Sequence, residues 1–122
     1  LRVGDGGVER TIQAVGTIFQ ERGPVKNVLL NNSFLGMVRQ WQELFYGSRY
    51  SFTELVNPDF GLIARANGLG YRCVERREEL AEAVAEMKAA SGAFLLEVRV
   101  ESEENVFPMV PAGAPVSEIR FE

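Results

Sequence analysis

The stretch LLNNSFLGMVRQW, residues 29–41, runs from apolar residues through two asparagines and a glycine into a segment with helical spacing. Residues 25–30 form a short apolar run rich in valine and leucine, the type of strand that is buried on both faces of a parallel sheet. Residues 35–46 predict a helix that ends at Gly47. A buried strand, a polar loop and a helix in this order are the unit of an α/β fold, so this stretch indicates the fold class.

The rest of the chain alternates in the same way. Further strands are predicted at residues 1–3, 71–74 and 93–100. Further helices are predicted at residues 8–22, 57–67 and 77–90. The helix at 57–67 is expected to start with Asn57 as N-cap and Pro58 at its first position. The order β-α-β-α-α-β-α-β predicts a parallel sheet with helices on both faces.

We therefore predict one partial α/β domain over residues 1–100 and a C-terminal arm over residues 101–122. Its opening strand of three residues is short, so the domain is expected to begin before residue 1. Residues 48–56 are interpreted as an irregular excursion over the surface. The arm is predicted to be extended rather than part of the core. Its residues 106–110 are too apolar for a free linker, so we expect the arm to fold over another surface.

Composition excludes several classes of function. With 46% hydrophobic and 25% charged residues, the chain has the makeup of a globular domain. A net charge of −4 without a basic stripe argues against nucleic acid as partner, and no apolar run approaches the roughly 18 residues of a membrane span. The chain has no histidine and a single cysteine, Cys73. Histidine-based catalysis, thiol clusters and histidine-ligated metals are thereby excluded, and any metal must be a hard cation held by oxygen.

Two loops follow the first two predicted strands, at the sheet edge where ligands bind in α/β folds. In GDGG, residues 4–7, the glycines permit close backbone approach, and the following helix start favours an anion. Asp5 beside an anion site makes sense if a cation bridges the two. In NNSFLG, residues 31–36, the carboxamide of Asn32 and a backbone carbonyl two residues later can supply neutral oxygens. Taken singly, each loop is also compatible with an ordinary turn or a helix cap.

The two loops together resemble a known signature. Gly4-Asp5-Gly6, then 24 residues, then Asn31-Asn32 resembles the diphosphate-binding signature of thiamine-diphosphate enzymes. The segments PVKNVLLNNSFLGMVRQWQELFYGSRYS, NPDF and ENVFPMVP further resemble the catalytic large subunit of acetolactate synthase (acetohydroxyacid synthase). The resemblance implies the C-terminal thiamine-diphosphate-binding fold of that family.

The resemblance also implies roles for individual residues. Mg²⁺ would be held by Asp5, Asn32 and the main-chain carbonyl of Phe34. Cofactor-binding positions would be Gly4, Asp5, Gly6, Gly7, Asn32, Phe34, Met37 and Val38. Met37 and Trp41 would line the keto-acid pocket. No catalytic residue is assigned in this chain, since the glutamate that activates the cofactor in this family lies in another domain of a neighbouring subunit.

The implied reaction is decarboxylation of pyruvate and condensation of the remaining two carbons with a second 2-keto acid, pyruvate or 2-ketobutyrate, in branched-chain amino-acid biosynthesis. The family also binds FAD, forms homodimers or tetramers and has a regulatory small subunit. The chain alone is expected to be inactive without the remaining domains of the large subunit. A bacterial-type cytoplasmic location is expected, with organellar targeting as the alternative.

Two residues depart from the family pattern: Arg10 stands where a methionine is usual, and Ala14 where a glutamate is frequent. Two other interpretations therefore stay open at this stage. One is a related thiamine-diphosphate 2-keto acid decarboxylase or oxidase, which GMVRQWQELF, residues 36–45, argues against. The other is a divergent, non-catalytic α/β domain.

Overall fold

The computed structural model describes residues 1–121. Its strands are β1 (Arg2–Gly4), β2 (Lys26–Asn31), β3 (Gly70–Val74) and β4 (Phe94–Arg99). Its helices are α1 (Asp5–Thr11), α2 (Ala14–Gln20), α3 (Gly36–Phe45), α4 (Phe60–Ala66) and α5 (Leu80–Ala89). Two short 3-10 helices, Arg77–Glu79 and Val116–Glu118, complete the described elements. Within this part of the chain, every helix is too short or too polar to cross a bilayer.

The strands form one parallel sheet in the order β1-β2-β4-β3. In the register, Leu30 of β2 pairs with Gly4 of β1 on one side and with Val98 of β4 on the other. The carboxyl ends of β1 and β2 therefore meet at one edge of the sheet. The predicted parallel α/β architecture is confirmed.

Apolar residues fill both faces of the sheet, because successive residues of a strand point to opposite sides. On one face a core cluster packs against residues of α1, α2 and α4. On the other face a second cluster packs against α5. The first cluster comprises Leu29, Phe60, Ala64, Leu69 and Leu95. The second comprises Val74, Ala83, Met87, Phe94 and Leu96. Helices on both faces were predicted, and this too is confirmed.

The predicted helix at residues 8–22 differs in the structure. Helix α1 already begins at Asp5, whose carboxylate is favourable in a first helical turn. The helix is then interrupted, because Val15 N donates to Ile12 O and Gly16 N to Gln13 O, at 3.0 and 3.2 Å. These i to i−3 bonds form a tight turn instead of continuing the α-helical ladder.

The start of α4 is also placed differently. Asn57 was predicted as the N-cap, and this is wrong: the N-cap is Asp59, whose Oδ1 accepts a hydrogen bond from Leu62 N at 2.8 Å. The physical reason is that the Asn57 carboxamide is committed elsewhere, to Asp5 and Asn31.

The segment at residues 48–56, predicted to be a surface excursion, is partly buried and pairs with the loop after β2. Thr53 is only 3% exposed, and its carbonyl accepts from Leu35 N at 2.7 Å. Leu55 N donates to Ser33 O at 2.8 Å. Through these two backbone hydrogen bonds, a segment outside the sheet stabilises the NNSFLG loop.

The C-terminal arm packs on α3, as its apolar residues predict. The side chain of Gln40 donates to Val106 O and accepts from Val106 N, both at 3.0 Å. Met109 of the arm is buried beside Gln40. The arm was predicted to lie outside the core, but this residue belongs to the interior.

Candidate functional site

A cleft of about 800 Å³ opens at the carboxyl ends of β1 and β2. Its walls come from α1, the loop after β2, the start of α3 and the beginning of the arm. The predicted site residues that line it are Gly4, Asp5, Gly6, Gly7, Asn32, Phe34, Met37 and Val38. The fold thus brings residues from both predicted loops into one cavity.

Trp41 is not among the residues that line this cleft. It lines a separate cavity of about 550 Å³, and its ring meets that of Phe45 edge to face at 5.5 Å between centroids. Val38 lines both cavities. Trp41 therefore stands one helical turn away from the cleft rather than in its wall.

Asp5 is 2% exposed and its carboxylate is held by protein groups. Oδ1 accepts from Gly6 N at 3.0 Å, and Oδ2 accepts from Ser33 N and Asn57 Nδ2, each at 2.8 Å. An ionised carboxylate offers about four lone-pair positions. Residues 1–121 use three of them, which leaves one position on Oδ1.

The other predicted metal-binding oxygens also retain acceptor capacity. Oδ1 of Asn32 accepts from Phe34 N at 3.1 Å, which occupies one of its two lone pairs. Gly36 lets this carboxamide lie close to the helix start, since a Cβ there would be 3.1 Å from Asn32 Nδ2. One carboxylate oxygen, one amide oxygen and one carbonyl oxygen suit a hard cation that takes its other ligands from phosphate and water. Among the residues described, no group of three or more His, Cys, Asp or Glu side chains could hold a metal.

The glycines of the first loop allow α1 to pack closely against its neighbours. A Cβ at Gly7 would be 2.9 Å from Val3 Cγ2, and one at Gly6 would be 3.1 Å from Leu35 Cδ2. The first turn of α1 therefore lies directly against the loop after β2. This contact brings Asp5 and Asn32 to the same cavity.

A buried polar network behind the cleft was missed by sequence reasoning. Asn31 Nδ2 donates to Glu97 Oε1 at 2.8 Å, and Tyr71 OH donates to Glu97 Oε2 at 2.6 Å. On its other side, Asn31 Oδ1 accepts from Ser33 N at 3.1 Å and from Asn57 Nδ2 at 2.9 Å. The signal in the sequence was a single glutamate inside an apolar strand, FLLEV. A carboxylate at such a position needs buried partners.

Tyr71 is held in its neutral form. Its burial, followed by its hydrogen bond to Glu97 and the negative charge of that carboxylate, raises the pKa of the Tyr71 hydroxyl far above its ordinary value. The hydroxyl therefore remains a donor to Glu97 at any physiological pH.

The rim of the cleft carries charges of both signs. Arg10, one of the two departures noted in the sequence, lines the cavity on the side of α1. Glu101 and Glu104 line it on the side of the arm. Ala14, the other departure, lines a different cavity between α1, α2 and the sheet.

Comparisons with known proteins agree with this geometry. Residues 1–98 match the family described as thiamine pyrophosphate enzyme, C-terminal TPP binding domain. Among solved structures, a thiamine diphosphate-dependent 4-hydroxybenzoylformate decarboxylase from Rhodococcus jostii RHA1 matches with a TM-score of 0.75 and 26% identity. The match covers 82% of this chain and 19% of that one.

Curated relatives are more similar in sequence. The chain is 44% identical to the acetolactate synthase isozyme 2 large subunit of Escherichia coli K12, over 95% of this chain and 21% of the relative. It is 42% identical to the mitochondrial acetolactate synthase catalytic subunit of Saccharomyces cerevisiae, over 98% of this chain and 18% of the relative. The chain thus spans about a fifth of the length of these curated relatives.

Proposed function

The chain belongs to the thiamine pyrophosphate enzyme family, as its C-terminal cofactor-binding domain, and from this premise we propose that it is part of an acetolactate synthase large subunit. The whole enzyme would decarboxylate pyruvate and join the remaining two carbons to pyruvate or 2-ketobutyrate. The observation that carries the proposal is the convergence of both predicted loops on one cleft at the carboxyl ends of β1 and β2. Identities of 42–44% to acetolactate synthases support the choice within the family.

In the proposed site, Asp5, Asn32 and the Phe34 carbonyl would hold Mg²⁺, and the cation would supply positive charge for a diphosphate. Bound thiamine diphosphate supplies the electron sink for decarboxylation, while the protein supplies position and electrostatics. Gly4, Gly6 and Gly7 line the cleft, and their backbone would hold the diphosphate.

Met37 and Val38 are about half exposed and present apolar surface to the cleft. We propose that they contact the cofactor and that Met37 contributes to the keto-acid pocket. Val38 lines both cavities, so we propose that it also contacts a keto acid bound between the cleft and Trp41. For the whole protein, FAD binding, dimer or tetramer formation and a regulatory small subunit stay predictions that rest on the resemblance.

Calorimetry tests the proposed site directly. Titrating thiamine diphosphate into the chain with Mg²⁺ present is expected to give saturable heat, which depends on Mg²⁺ and is lost in Asp5→Ala. Asp59→Ala is the matched control, because Asp59 is the cap of α4 and does not line the cleft. Absence of binding by the unmodified chain, or equal affinity in Asp5→Ala, would contradict the proposal.

A second candidate is a thiamine-diphosphate 2-keto acid decarboxylase, which the match to the Rhodococcus structure favours. Both candidates decarboxylate a 2-keto acid, and they differ in what accepts the remaining fragment. Incubating the whole enzyme with pyruvate separates them, because a carboligase yields acetolactate and a decarboxylase releases an aldehyde.

A further inference from the structure

We propose that Asn57 and Glu97 are positioning residues that fix the Asp5 carboxylate for metal binding. Asn57 contacts Asp5 directly, and Glu97 acts through Asn31 and Asn57. The inference rests on the proposed function, since Asp5 is there the ligand of the cation. It assigns a role to side chains on β4 and before α4, neither of which belongs to the two loops of the predicted site.

Glu97 sets the orientation of the Asn31 carboxamide. Glu97 is 2% exposed and lies on β4, next to the strand that ends in Asn31. Its two carboxylate oxygens accept from Asn31 Nδ2 and from the Tyr71 hydroxyl. A carboxylate can only accept hydrogen bonds, so Glu97 forces the NH₂ group of Asn31 toward itself. The carbonyl oxygen of Asn31 must then point the opposite way.

The Asn57 carboxamide links Asn31 to Asp5. Its NH₂ group has two hydrogens, and the geometry accounts for both: one goes to Asn31 Oδ1 at 2.9 Å and the other to Asp5 Oδ2 at 2.8 Å. If the carboxamide were rotated by 180°, its oxygen would face Asn31 Oδ1 and the carboxylate oxygen Asp5 Oδ2, and neither could donate a hydrogen bond to it. Asn57 therefore has one permitted orientation once Glu97 has oriented Asn31.

Asn57 Oδ1 is buried and has no hydrogen-bond partner within residues 1–121. Burying an unsatisfied carbonyl is unfavourable, and such groups call for a specific explanation. The explanation here is that both hydrogens of the same carboxamide are required to hold Asn31 and Asp5.

This network fixes the orientation of the Asp5 carboxylate, which lines the cleft. With Oδ2 of Asp5 held by Asn57 and Ser33, the carboxylate cannot rotate freely, and the position left on Oδ1 has a fixed direction. Partners of metal ligands that fix ligand orientation typically change metal affinity by 10- to 100-fold when they are removed. We expect effects of this size at Asn57 and Glu97.

The test measures the dissociation constant of Mn²⁺, used in place of Mg²⁺, by electron paramagnetic resonance of the full chain with thiamine diphosphate present. Asn57→Leu is expected to weaken Mn²⁺ binding by roughly 10- to 100-fold. Asn27→Leu is the matched control, because Asn27 is a buried asparagine on β2 that lies outside the network. Its Mn²⁺ affinity is expected to equal that of the unmodified chain.

Glu97 is tested with a pair of variants. Glu97→Leu leaves Asn31 Nδ2 without its acceptor and is expected to weaken Mn²⁺ binding. In Glu97→Gln the side-chain oxygen can still accept from Asn31, so its affinity is expected to lie closer to that of the unmodified chain. Melting temperatures are recorded for both, since a purely structural role would make affinity follow stability instead of hydrogen-bonding capacity. If Glu97→Leu fails to fold, Asn57→Leu and Glu97→Gln still carry the test.

A second readout needs no ligand. The amide of Ser33 donates to both Asp5 and Asn31, so its hydrogen exchange is expected to speed up in Asn57→Leu and to stay unchanged in Asn27→Leu. Unchanged Mn²⁺ affinity or unchanged Ser33 exchange in Asn57→Leu would overturn this inference. The proposed function would still stand in that case if Asp5→Ala loses Mn²⁺ binding. No Mn²⁺ binding by the unmodified chain would overturn the proposed function and this inference together.

Discussion

Asp5 is a buried carboxylate whose surroundings come from distant parts of the chain. Two of its hydrogen-bond partners, Ser33 and Asn57, are 28 and 52 residues away in sequence. The Gly-Asp-Gly spacing identifies the residue type that the site needs, but it carries no information about these partners. The same partners hold the carboxylate in place before any ligand arrives.

Tyr71 gives a pH dependence at the residue scale. Because the folded state holds the hydroxyl proton to higher pH than the unfolded chain, the unfolded chain binds fewer protons above about pH 10. The contribution of the protonated Tyr71 hydroxyl to the free energy of unfolding is therefore complete below about pH 10 and is lost as the pH rises further. We expect the urea-measured free energy of unfolding to fall less between pH 9 and pH 10.5 in Tyr71→Phe than in the unmodified chain. An equal fall in both would show that the folded protein does not protect this hydroxyl.

At this scale the sequence indicates residues that belong to a local motif, but it does not indicate their remote partners. Asp5 and Asn32 were predicted from their own loops, and both line the cleft. Asn57 was assigned to a helix cap because an asparagine before a proline usually takes that role. Its actual partners become neighbours only after β1 and β2 are paired, so no local pattern indicates them.

At the scale of elements, α3 holds two different segments through two glutamines. Gln40 makes a pair of hydrogen bonds with Val106 of the arm, and Gln42 makes an equivalent pair with Ser51. The arm and the excursion are thereby attached to the same helix. Helical spacing predicted α3, but side-chain bonds to irregular backbone have no period and were not predicted.

This arrangement predicts separate effects for two matched variants. Gln40→Leu is expected to release the arm, since each lost hydrogen bond contributes roughly 0.5–1.5 kcal/mol. Limited proteolysis should then cut residues 101–110 faster than in the unmodified chain. Gln42→Leu should speed cleavage near Ser51 and leave the arm as slow as before. Equal cleavage of the arm in Gln40→Leu and in the unmodified chain would show that other contacts hold it.

At the scale of the whole molecule, stability depends on a sheet covered on both faces. Leu96 lies in the central strand β4 and has no solvent-exposed surface, whereas Leu62 on α4 is 58% exposed. Leu96→Ala is expected to lower the free energy of unfolding by about 2–5 kcal/mol, and Leu62→Ala by roughly 0.5 kcal/mol or less. Urea denaturation of both variants measures the difference, and similar losses would contradict the assignment of the core.

Hydrophobic runs and helical spacing were sufficient to predict the parallel sheet and helices on both faces. They could not predict the interruption after Thr11, because residues 12 and 13 keep helical backbone angles and only the hydrogen-bonding pattern changes. They also could not predict that residues 48–56 pair with the loop after β2. That pairing uses backbone groups, which every residue type possesses.

The strand order has a consequence for protein synthesis. Of the four strands described, β4 is translated last, yet it occupies the place between β2 and β3. At roughly 5–20 residues per second, the segment from β3 to β4 takes on the order of seconds to translate. Throughout that time β3 lacks β4, its neighbour in the described sheet, so the edge that pairs with β4 is left without its partner. The arm, which forms part of the rim of the cleft, is translated after these four strands.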